Sequence, residues 1–428
     1  MEKNQTTSPA QKRAPETESA RALSAEEGTP LYVHVPFCEA KCPYCDFFSV
    51  VGAGQDVRGS LDALLEEIKQ RAPKSPETLF VGGGTPSWLS VSQLTELFNA
   101  LQAKTGFRDK STEVTVECNP ESLTPEKARA LVELGATRLS IGFQSLRPET
   151  LELFGRVHDS EQSFAAYEAA REANAEAVSI DLIFGASGQT AGEWQEDLKR
   201  VIDLKPDHLS CYALTFEEGT LFTSWLKSGK IEQMPSEHEL ELFKLTREQL
   251  GAAGYHAYEV SNFALSGHEC QHNLNYWRNG HYVGVGPGAV SHVAGVRFGN
   301  PRSLEAWRRA AISKKDASSW SERLEPSHRL AETWWLGLRL SAGVDPVAAR
   351  EVAGLRPEED VCVPVAHRLA SEGLLLEESG NWKLTSRGLE LADAISKELL
   401  AAGQGEGEAP EAAPRPLFRP TPSGVNPF

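Results

Sequence analysis

Three cysteines within eight residues near the N-terminus are the side chains most able to do chemistry. Cys38, Cys42 and Cys45 have the spacing Cys-x3-Cys-x2-Cys and follow an apolar run that predicts a strand. Thiolates are soft ligands, and three of them on one short loop can hold three corners of an iron–sulfur cube. Two other interpretations stay open: structural zinc with His34 as a fourth ligand, and a redox site, which normally uses one Cys-x2-Cys pair.

The other cysteines do not suggest a disulfide framework. Cys118, Cys211, Cys270 and Cys362 are scattered singly, and the total of seven is odd. Disulfide scaffolds are small, secreted and evenly paired, so we predict reduced thiols. No apolar run approaches the roughly 20 residues that span a bilayer, and the N-terminus lacks the apolar core of a signal peptide. These features predict a cytoplasmic protein.

Length and charge narrow the class of protein. A chain of 428 residues can bury a large core and divide into two or more domains. Acidic residues outnumber basic ones by 60 to 43, for a formal charge of −17. Binding to nucleic acid phosphates depends on Lys and Arg, so we predict no nucleic acid partner.

The elements that must position the cysteines form a repeating pattern between residues 31 and 215. Longer stretches with helical periodicity, such as 61–72, 90–104 and 192–204, separate six short apolar runs at 31–36, 78–84, 113–120, 138–145, 178–185 and 208–215. Such alternation predicts βαβ units and a parallel sheet, that is, an α/β barrel or partial barrel. Polar and glycine residues collect where each strand ends, which is the edge where such sheets bind ligands.

The remaining chain predicts further parts. Residues 1–28 and 401–428 are expected to be disordered tails, 29–216 the barrel, and 217–321 a less regular extension. Residues 322–400 predict helices followed by a hairpin turning at Ser379 and Gly380, which resembles a winged helix. That segment carries 9 basic and 14 acidic residues, so DNA binding is not expected of it either.

Several strings together resemble a known family. YVHVPFC, CPYCDF, VGGGTPS, VECNPE, RLSIGFQS, FGRVH, DLIFG, YEVSNFA and HNLNYW are similar to motifs of the radical S-adenosylmethionine (SAM) superfamily, and within it to the oxygen-independent coproporphyrinogen III oxidase family. The resemblance spans roughly residues 30–395 and implies a partial (β/α)6 barrel. It also implies that Cys38, Cys42 and Cys45 ligate a 4Fe–4S cluster whose fourth iron is chelated by the amino and carboxylate groups of SAM.

The same resemblance implies a set of residues that contact SAM, namely Tyr32, Gly83, Gly84, Thr85, Glu117, Gln144, Arg156 and Asp181. Their chemistry suits such contacts, because glycine lets a backbone approach a ligand, a carboxylate pairs with an ammonium, and arginine grips a carboxylate. Structural interpretations are also open. Glu117 could cap a helix, Arg156 could form a surface ion pair, and Tyr32 could pack in the core.

The family contains both an enzyme and a heme chaperone, and two features favour the chaperone branch. Phe47 stands where the oxidase has a further cysteine, and HNLNYW resembles the chaperone signature His-Asn-x-x-Tyr-Trp. His272 is therefore the candidate axial ligand of heme, with Cys270 as an alternative; otherwise His272 hydrogen-bonds backbone while Tyr276 and Trp277 pack the core.

The function expected from the sequence is delivery of heme to acceptor hemoproteins, which could be membrane-bound. The predicted cofactors are a 4Fe–4S cluster, SAM and heme, and no catalytic residue is assigned. The alternative is a radical enzyme of the coproporphyrinogen oxidase type, in which the cofactor performs the difficult chemistry. A third interpretation is a membrane-associated adaptor that docks through residues 322–400.

Overall fold

The computed structural model describes residues 25–313 and 318–404. Most of both predicted tails, residues 1–24 and 405–428, therefore lies outside the described residues. No helix in the described part of the chain is long and apolar enough to cross a membrane. The domain boundaries expected from the sequence stay predictions.

The described chain contains sixteen strands and sixteen α-helices. The strands are β1 (Leu31–Val35), β2 (Phe37–Cys38), β3 (Val50–Val51), β4 (Thr78–Gly83), β5 (Glu113–Cys118), β6 (Arg138–Gln144), β7 (Ala177–Phe184), β8 (His208–Ala213), β9 (His256–Ala257), β10 (Asn262–Ala264), β11 (Val283–Val285), β12 (Val290–Val293), β13 (Val296–Gly299), β14 (Trp320–Arg323), β15 (Leu375–Glu378) and β16 (Asn381–Leu384). The helices are α1 (Val57–Arg71), α2 (Val91–Thr105), α3 (Phe107–Lys110), α4 (Pro125–Glu133), α5 (Pro148–Leu153), α6 (Ser160–Glu172), α7 (Ala191–Asp203), α8 (Leu221–Lys227), α9 (Ser236–Ala252), α10 (Gln271–Trp277), α11 (Leu304–Ile312), α12 (Pro326–Leu338), α13 (Pro346–Ala353), α14 (Cys362–Ser371), α15 (Ser386–Glu390) and α16 (Ala392–Gln404).

The predicted α/β fold with a parallel sheet is confirmed. The six predicted strands are β1 and β4 to β8, which pair in parallel and in chain order. Helices with well-formed ends connect them; α2, α6 and α7, for example, each begin with a capping box, which satisfies amide groups that a helix N-terminus leaves open.

The sheet is wider than the sequence predicted. It has nine strands in the order β11-β1-β4-β5-β6-β7-β8-β10-β9. The three additional strands come from the segment expected to be irregular: β11 joins β1 in parallel, and β10 joins β8 in antiparallel orientation. These strands have two or three residues each, too few for a periodic pattern to be visible in the sequence.

The C-terminal part consists of helices and one hairpin, as predicted. Strands β15 and β16 pair in antiparallel orientation, and Ser379 and Gly380 form the turn between them with positive φ angles. The apolar side chains of α12, α14 and α16 share one buried cluster with side chains of β1, β4 and α10. This packing holds the C-terminal part against the amino-terminal ends of the barrel strands.

Glu67 on α1 joins the edge of the sheet to the later part of the chain. Its side chain is 1% exposed, and it accepts hydrogen bonds from the Gly286 amide at 2.9 Å, Asn300 Nδ2 at 2.8 Å, Trp307 Nε1 at 2.7 Å and Arg71 Nη1 at 2.6 Å. A buried carboxylate with four donors is well compensated. Removing it leaves the Gly286 amide and Trp307 Nε1 without this acceptor. Arg71 Nη1 also donates to Asn300 Oδ1, and Asn300 Nδ2 also donates to the Gly286 carbonyl, so these two groups lose only part of their hydrogen bonding.

We predict that Glu67→Ala lowers the free energy of unfolding by about 3 kcal/mol or more, because it orphans buried donors. Asp62→Ala on the same helix is the control. Asp62 forms an exposed pair with Arg58, and such pairs contribute about 0–1 kcal/mol. Chemical denaturation of both variants checks the prediction, and equal losses of stability would contradict it.

Candidate functional site

The cysteine loop begins where β1 ends and is tied down at several points. Strands β2 and β3 pair across it, and the Gly52 amide donates to the Cys38 carbonyl at 2.9 Å. His34 on β1 also holds the loop. Its Nε2 lies 2.7 Å from the Phe48 carbonyl, and its Nδ1 lies 3.0 Å from the Tyr32 hydroxyl. Both ring nitrogens of His34 are therefore occupied, which argues against the zinc interpretation that needed His34 as a ligand.

The glycine-rich turn after β4 docks on the chain that leads to the cysteines. The Gly84 amide donates to the Val35 carbonyl at 2.8 Å, and the Thr85 amide donates to the Phe37 carbonyl at 2.7 Å. A Cβ atom at Gly84 would lie 2.8 Å from the Phe37 carbonyl oxygen, so only glycine permits this approach. The turn thus positions Cys38 as well as offering backbone to a ligand.

One cavity of about 190 Å³ runs from the cysteine loop into the interior of the barrel. Ten of the twelve residues that the sequence assigns to the site line it, namely Cys38, Cys42, Cys45, Gly83, Gly84, Thr85, Glu117, Gln144, Arg156 and Asp181. They come from the cysteine loop, from the carboxyl-terminal halves of four parallel strands and from the turn after α5. The polar ends of these strands therefore lie around one cavity.

Two acidic side chains face the middle of this cavity. Glu117 Oε2 accepts from the Gly83 amide at 2.9 Å, and Asp181 Oδ2 accepts from Ser140 Oγ at 3.0 Å. Burial raises the pKa of Glu117 to about 7 despite the Gly83 amide, and the charge of Asp181 contributes to this rise. Burial also raises the pKa of Asp181, against the hydrogen bonds from neighbouring serines. Such a pair would favour a cation between the two carboxyl groups.

Arg156 lies beside the cysteines with its guanidinium already engaged. It donates to Asn119 Oδ1 at 2.7 Å, to the Gly142 carbonyl at 3.1 Å and to Cys42 Sγ at 3.6 Å. Asn119 in turn donates to Thr85 Oγ1 at 2.9 Å, so it links two predicted site residues. Asn119 was not predicted from the sequence, although it follows Glu117 by two residues in the string VECNPE.

Gln144 has an unusual backbone at the end of β6. Its φ angle is +64°, and the pairing of β6 with β7 shifts register between Ile141 and Gln144. A residue other than glycine in the left-handed region is strained, and such strain concentrates at functional sites. Gln144 lines the cavity at this irregularity.

Two predicted site residues, Tyr32 and His272, are not among those that line the cavity. Tyr32 is 3% exposed and packs against Phe80, with ring centroids 6.1 Å apart, so the structure places it in the core. His272 is 1% exposed; its Nδ1 lies 2.7 Å from Thr78 Oγ1 and its Nε2 lies 2.8 Å from the Tyr276 hydroxyl. In this conformation His272 therefore presents no free nitrogen to a heme iron.

The helix α10, which carries the HNLNYW string, closes the amino-terminal end of the barrel. The Glu113 carboxylate at the start of β5 accepts from the Gln271 amide at 3.0 Å, from the His272 amide at 3.2 Å and from Cys270 Sγ at 3.3 Å. Phe80 lines the cavity and stacks on the His272 ring with centroids 5.2 Å apart. The cavity and this helix thus share a wall.

The chemistry of the three cysteines fits an iron–sulfur cluster. All three line one cavity at a partly exposed loop. Burial raises the pKa of Cys45 to about 12 and also raises the pKa of Cys38, so both thiols hold their protons until a metal displaces them. In the described residues, no three or more His, Cys, Asp or Glu side chains converge on a point that would hold a single metal ion.

The chain is similar to known proteins both in sequence and in fold. Residues 32–201 match the model of the radical SAM superfamily. In fold, the chain is similar to the solved structure of coproporphyrinogen III oxidase (HemN) from Escherichia coli, described as a radical SAM enzyme. The TM-score is 0.77 at 24% identity, and the match covers 89% of this chain and 92% of that one.

In sequence, the chain is similar to proteins named heme chaperone HemW. The heme chaperone HemW of Bacillus subtilis is 34% identical over 85% of this chain and 97% of its own length. The heme chaperone HemW of Escherichia coli is 32% identical over 87% of this chain and 98% of its own length. With identity above 30% over nearly the whole of these relatives, the chain belongs to the HemW family within the radical SAM superfamily.

Proposed function

We propose that this chain is a heme chaperone that holds a 4Fe–4S cluster and SAM in the barrel cavity and transfers heme to an acceptor hemoprotein. The observation that carries the proposal is the convergence of Cys38, Cys42 and Cys45 with Glu117 and Asp181 on one cavity. When bound, the cluster would offer one iron without a protein thiolate to a small chelating molecule. The names of the relatives support the assignment to heme transfer.

Within this proposal the chain's own residues have distinct roles. Cys38, Cys42 and Cys45 would ligate the iron of the cluster as thiolates. Glu117 and Asp181 face the part of the cavity that would take the positively charged and hydroxyl-bearing parts of SAM, beside the backbone of Gly83, Gly84 and Thr85. Gln144 and Arg156 orient polar groups nearest the cluster. The predicted contact of Tyr32 with SAM is left out of the proposal, because Tyr32 packs in the core.

Heme transfer is proposed to involve the HNLNYW helix. His272 can ligate iron only if one of its two hydrogen bonds opens, to Thr78 Oγ1 or to the Tyr276 hydroxyl. Phe80 lies between this histidine and the cavity. We therefore infer that cofactors in the cavity bias the helix between a closed conformer and a heme-binding conformer. Delivery is proposed to end at an acceptor hemoprotein, membrane-bound acceptors included.

The alternative function, a radical enzyme, would use the same cavity. Phe47 is the cavity residue that distinguishes the heme chaperone from the radical enzyme. Phe47 lines the cavity with an apolar ring where the oxidase branch has a fourth cysteine. This difference favours the chaperone. Oxidation of a porphyrinogen by the reconstituted protein would instead favour the enzyme.

We predict that replacing Cys38, Cys42 or Cys45 by Ala abolishes cluster assembly, because each would remove one ligand of the cube. Cys118→Ala is the matched control, since Cys118 lines the same cavity but is not a predicted ligand. Iron and sulfide analysis after anaerobic reconstitution should give about four iron atoms per chain for the wild type and the control. If Cys118→Ala lost its iron while the Cys38, Cys42 and Cys45 variants kept theirs, the assignment of these three cysteines as cluster ligands would be refuted.

We predict that Glu117→Gln stabilises the cofactor-free protein increasingly between pH 5 and pH 7. Because the pKa of Glu117 is raised to about 7 in the folded chain, the unfolded chain ionises first as the pH rises. Stability is therefore lost over this window, by up to about 1.4 kcal/mol per pH unit. Glutamine keeps an acceptor for the Gly83 amide but does not ionise.

Unfolding curves across this pH range measure the difference in the free energy of unfolding between the wild type and the variant. The control is Glu193→Gln. Hydrogen bonds from the Thr190 amide and hydroxyl lower the pKa of Glu193, so this carboxylate is ionised in both the folded and the unfolded chain above pH 5, and the difference should stay constant. A constant difference for Glu117→Gln as well would contradict the prediction.

We predict that Tyr276→Phe raises the affinity for heme about fivefold to tenfold. The substitution frees His272 Nε2 from its hydrogen bond to the Tyr276 hydroxyl, and such a bond contributes about 1 kcal/mol. His272→Ala should abolish saturable binding. Anaerobic titration followed by the Soret band measures both. Tyr255→Phe removes another buried hydroxyl, bonded to the Pro206 carbonyl, and serves as the control. Equal heme affinity in all four proteins would exclude His272 as the ligand.

A further inference from the structure

The closed end of the barrel cavity is lined by polar residues that the proposed function does not use. Thr115, Arg138, Ser179 and His208 lie on four neighbouring strands and all line the cavity. Thr115 pairs in register with Arg138, and Ser179 with His208. Two positions further along each strand lies another residue that lines the cavity, namely Glu117, Ser140, Asp181 and Ser210. Because side chains alternate along a strand, the first four residues form the next layer toward the amino-terminal ends of the strands.

Arg138 is the main charged group of this layer, and most of its donors have no acceptor. The side chain is buried, with 5% of its residue exposed. Its Nη2 donates to Glu113 Oε2 at 3.2 Å and to the His268 carbonyl at 3.0 Å, whereas Nε and Nη1 are buried without a hydrogen-bond partner. Thr115 Oγ1, on the adjacent strand, is also buried without a partner.

Such unsatisfied groups are costly and uncommon in native proteins. Leaving a buried donor unpaired costs about 1–3 kcal/mol, and more when the group is charged. Here two guanidinium nitrogens and one hydroxyl share this condition beside an open cavity. Their arrangement indicates a ligand that accepts several hydrogen bonds.

Glu113 forms a buried ion pair with Arg138 through Nη2 at 3.2 Å, but Glu113 does not line the cavity and no acidic group pairs with Nε or Nη1. Glu113 already accepts three hydrogen bonds from Cys270, Gln271 and His272. His208 is bonded on both sides, to Ser179 Oγ at 2.8 Å and to the Tyr258 hydroxyl at 2.9 Å. Burial lowers the pKa of His208, so this ring is neutral. Although burial opposes it, Glu113 raises the pKa of Arg138, which therefore stays cationic.

We propose that the closed end of the cavity is a binding subsite for a small carboxylate, held by Arg138 and Thr115. A carboxylate accepts several hydrogen bonds and pairs with a guanidinium. A singly charged anion suits the place better than a doubly charged one, since Glu117 and Asp181 lie one layer above. The subsite is separate from the cysteine loop and does not depend on the proposed transfer of heme.

The test uses the full-length protein with its cluster intact and acetate as the probe, at constant ionic strength set with chloride. We expect saturable stabilisation against thermal unfolding by acetate. Thr115→Val should be more stable than the wild type without acetate, because it removes an unsatisfied hydroxyl. It should also bind acetate about tenfold more weakly, through the loss of one hydrogen bond to a charged group.

Two further proteins make the result decisive. Thr95→Val on α2 removes a hydroxyl that donates to the Val91 carbonyl, away from the residues that line the cavity, and should leave acetate affinity unchanged. Arg138→Met should abolish the effect of acetate, but it also breaks the pair with Glu113, so Thr115→Val carries the argument if Arg138→Met does not fold.

Three outcomes would overturn the subsite. Acetate could fail to stabilise the protein saturably against thermal unfolding, or Thr115→Val could bind acetate as tightly as the wild type does. Competition between acetate and added SAM would place the anion at the cluster end of the cavity instead. Unchanged acetate affinity in the presence of SAM is the result that the subsite requires.

Discussion

The alternation of side chains along parallel strands is the constraint on which this structure depends. In each strand every second residue faces the interior, and in most α/β barrels bulky branched residues fill that space. Here the inward positions of β5 to β8 hold Thr115, Ser140, Ser179 and Ser210. These small hydroxyl side chains leave the interior hollow and polar. The cysteine loop covers one end of this cavity and α10 closes the other. The candidate cofactor site and the helix that carries HNLNYW therefore lie at opposite ends of one cavity.

The position of α10 explains how cofactor binding in the cavity could be coupled to heme binding at His272. The helix is anchored through backbone amides to the Glu113 carboxylate, and its Leu274 and Trp277 side chains share a buried cluster with α12 and the C-terminal part. Phe80 touches the cavity on one face and His272 on the other. A change of packing in the cavity therefore reaches the motif helix through one ring, without a long chain of contacts.

The sequence predicted those parts of the structure that local patterns determine. Strand periodicity located β1 and β4 to β8, and cysteine spacing located the cluster loop, because both depend on neighbouring residues. The partners of His272 could not be predicted, since Thr78 lies 194 positions away and only the folded chain reveals this hydrogen bond. Arg138 was missed because a charged residue at the start of a strand is typical of a strand boundary. The unsatisfied nitrogens became visible only when the interior was seen to be hollow.

The pairing of β11 with β1 has a consequence for the order of folding. Leu31 pairs with Val283, so the amino-terminal edge of the sheet waits for a segment that leaves the ribosome about 250 residues later. Until then β1 has an open edge, which is prone to pairing with other chains, and the lower end of the barrel lacks α10. Non-local contacts of this kind slow folding. A nascent chain therefore completes its cysteine loop long before α10 closes the cavity beneath it, and metal that loads during synthesis would meet a barrel still open at its amino-terminal end.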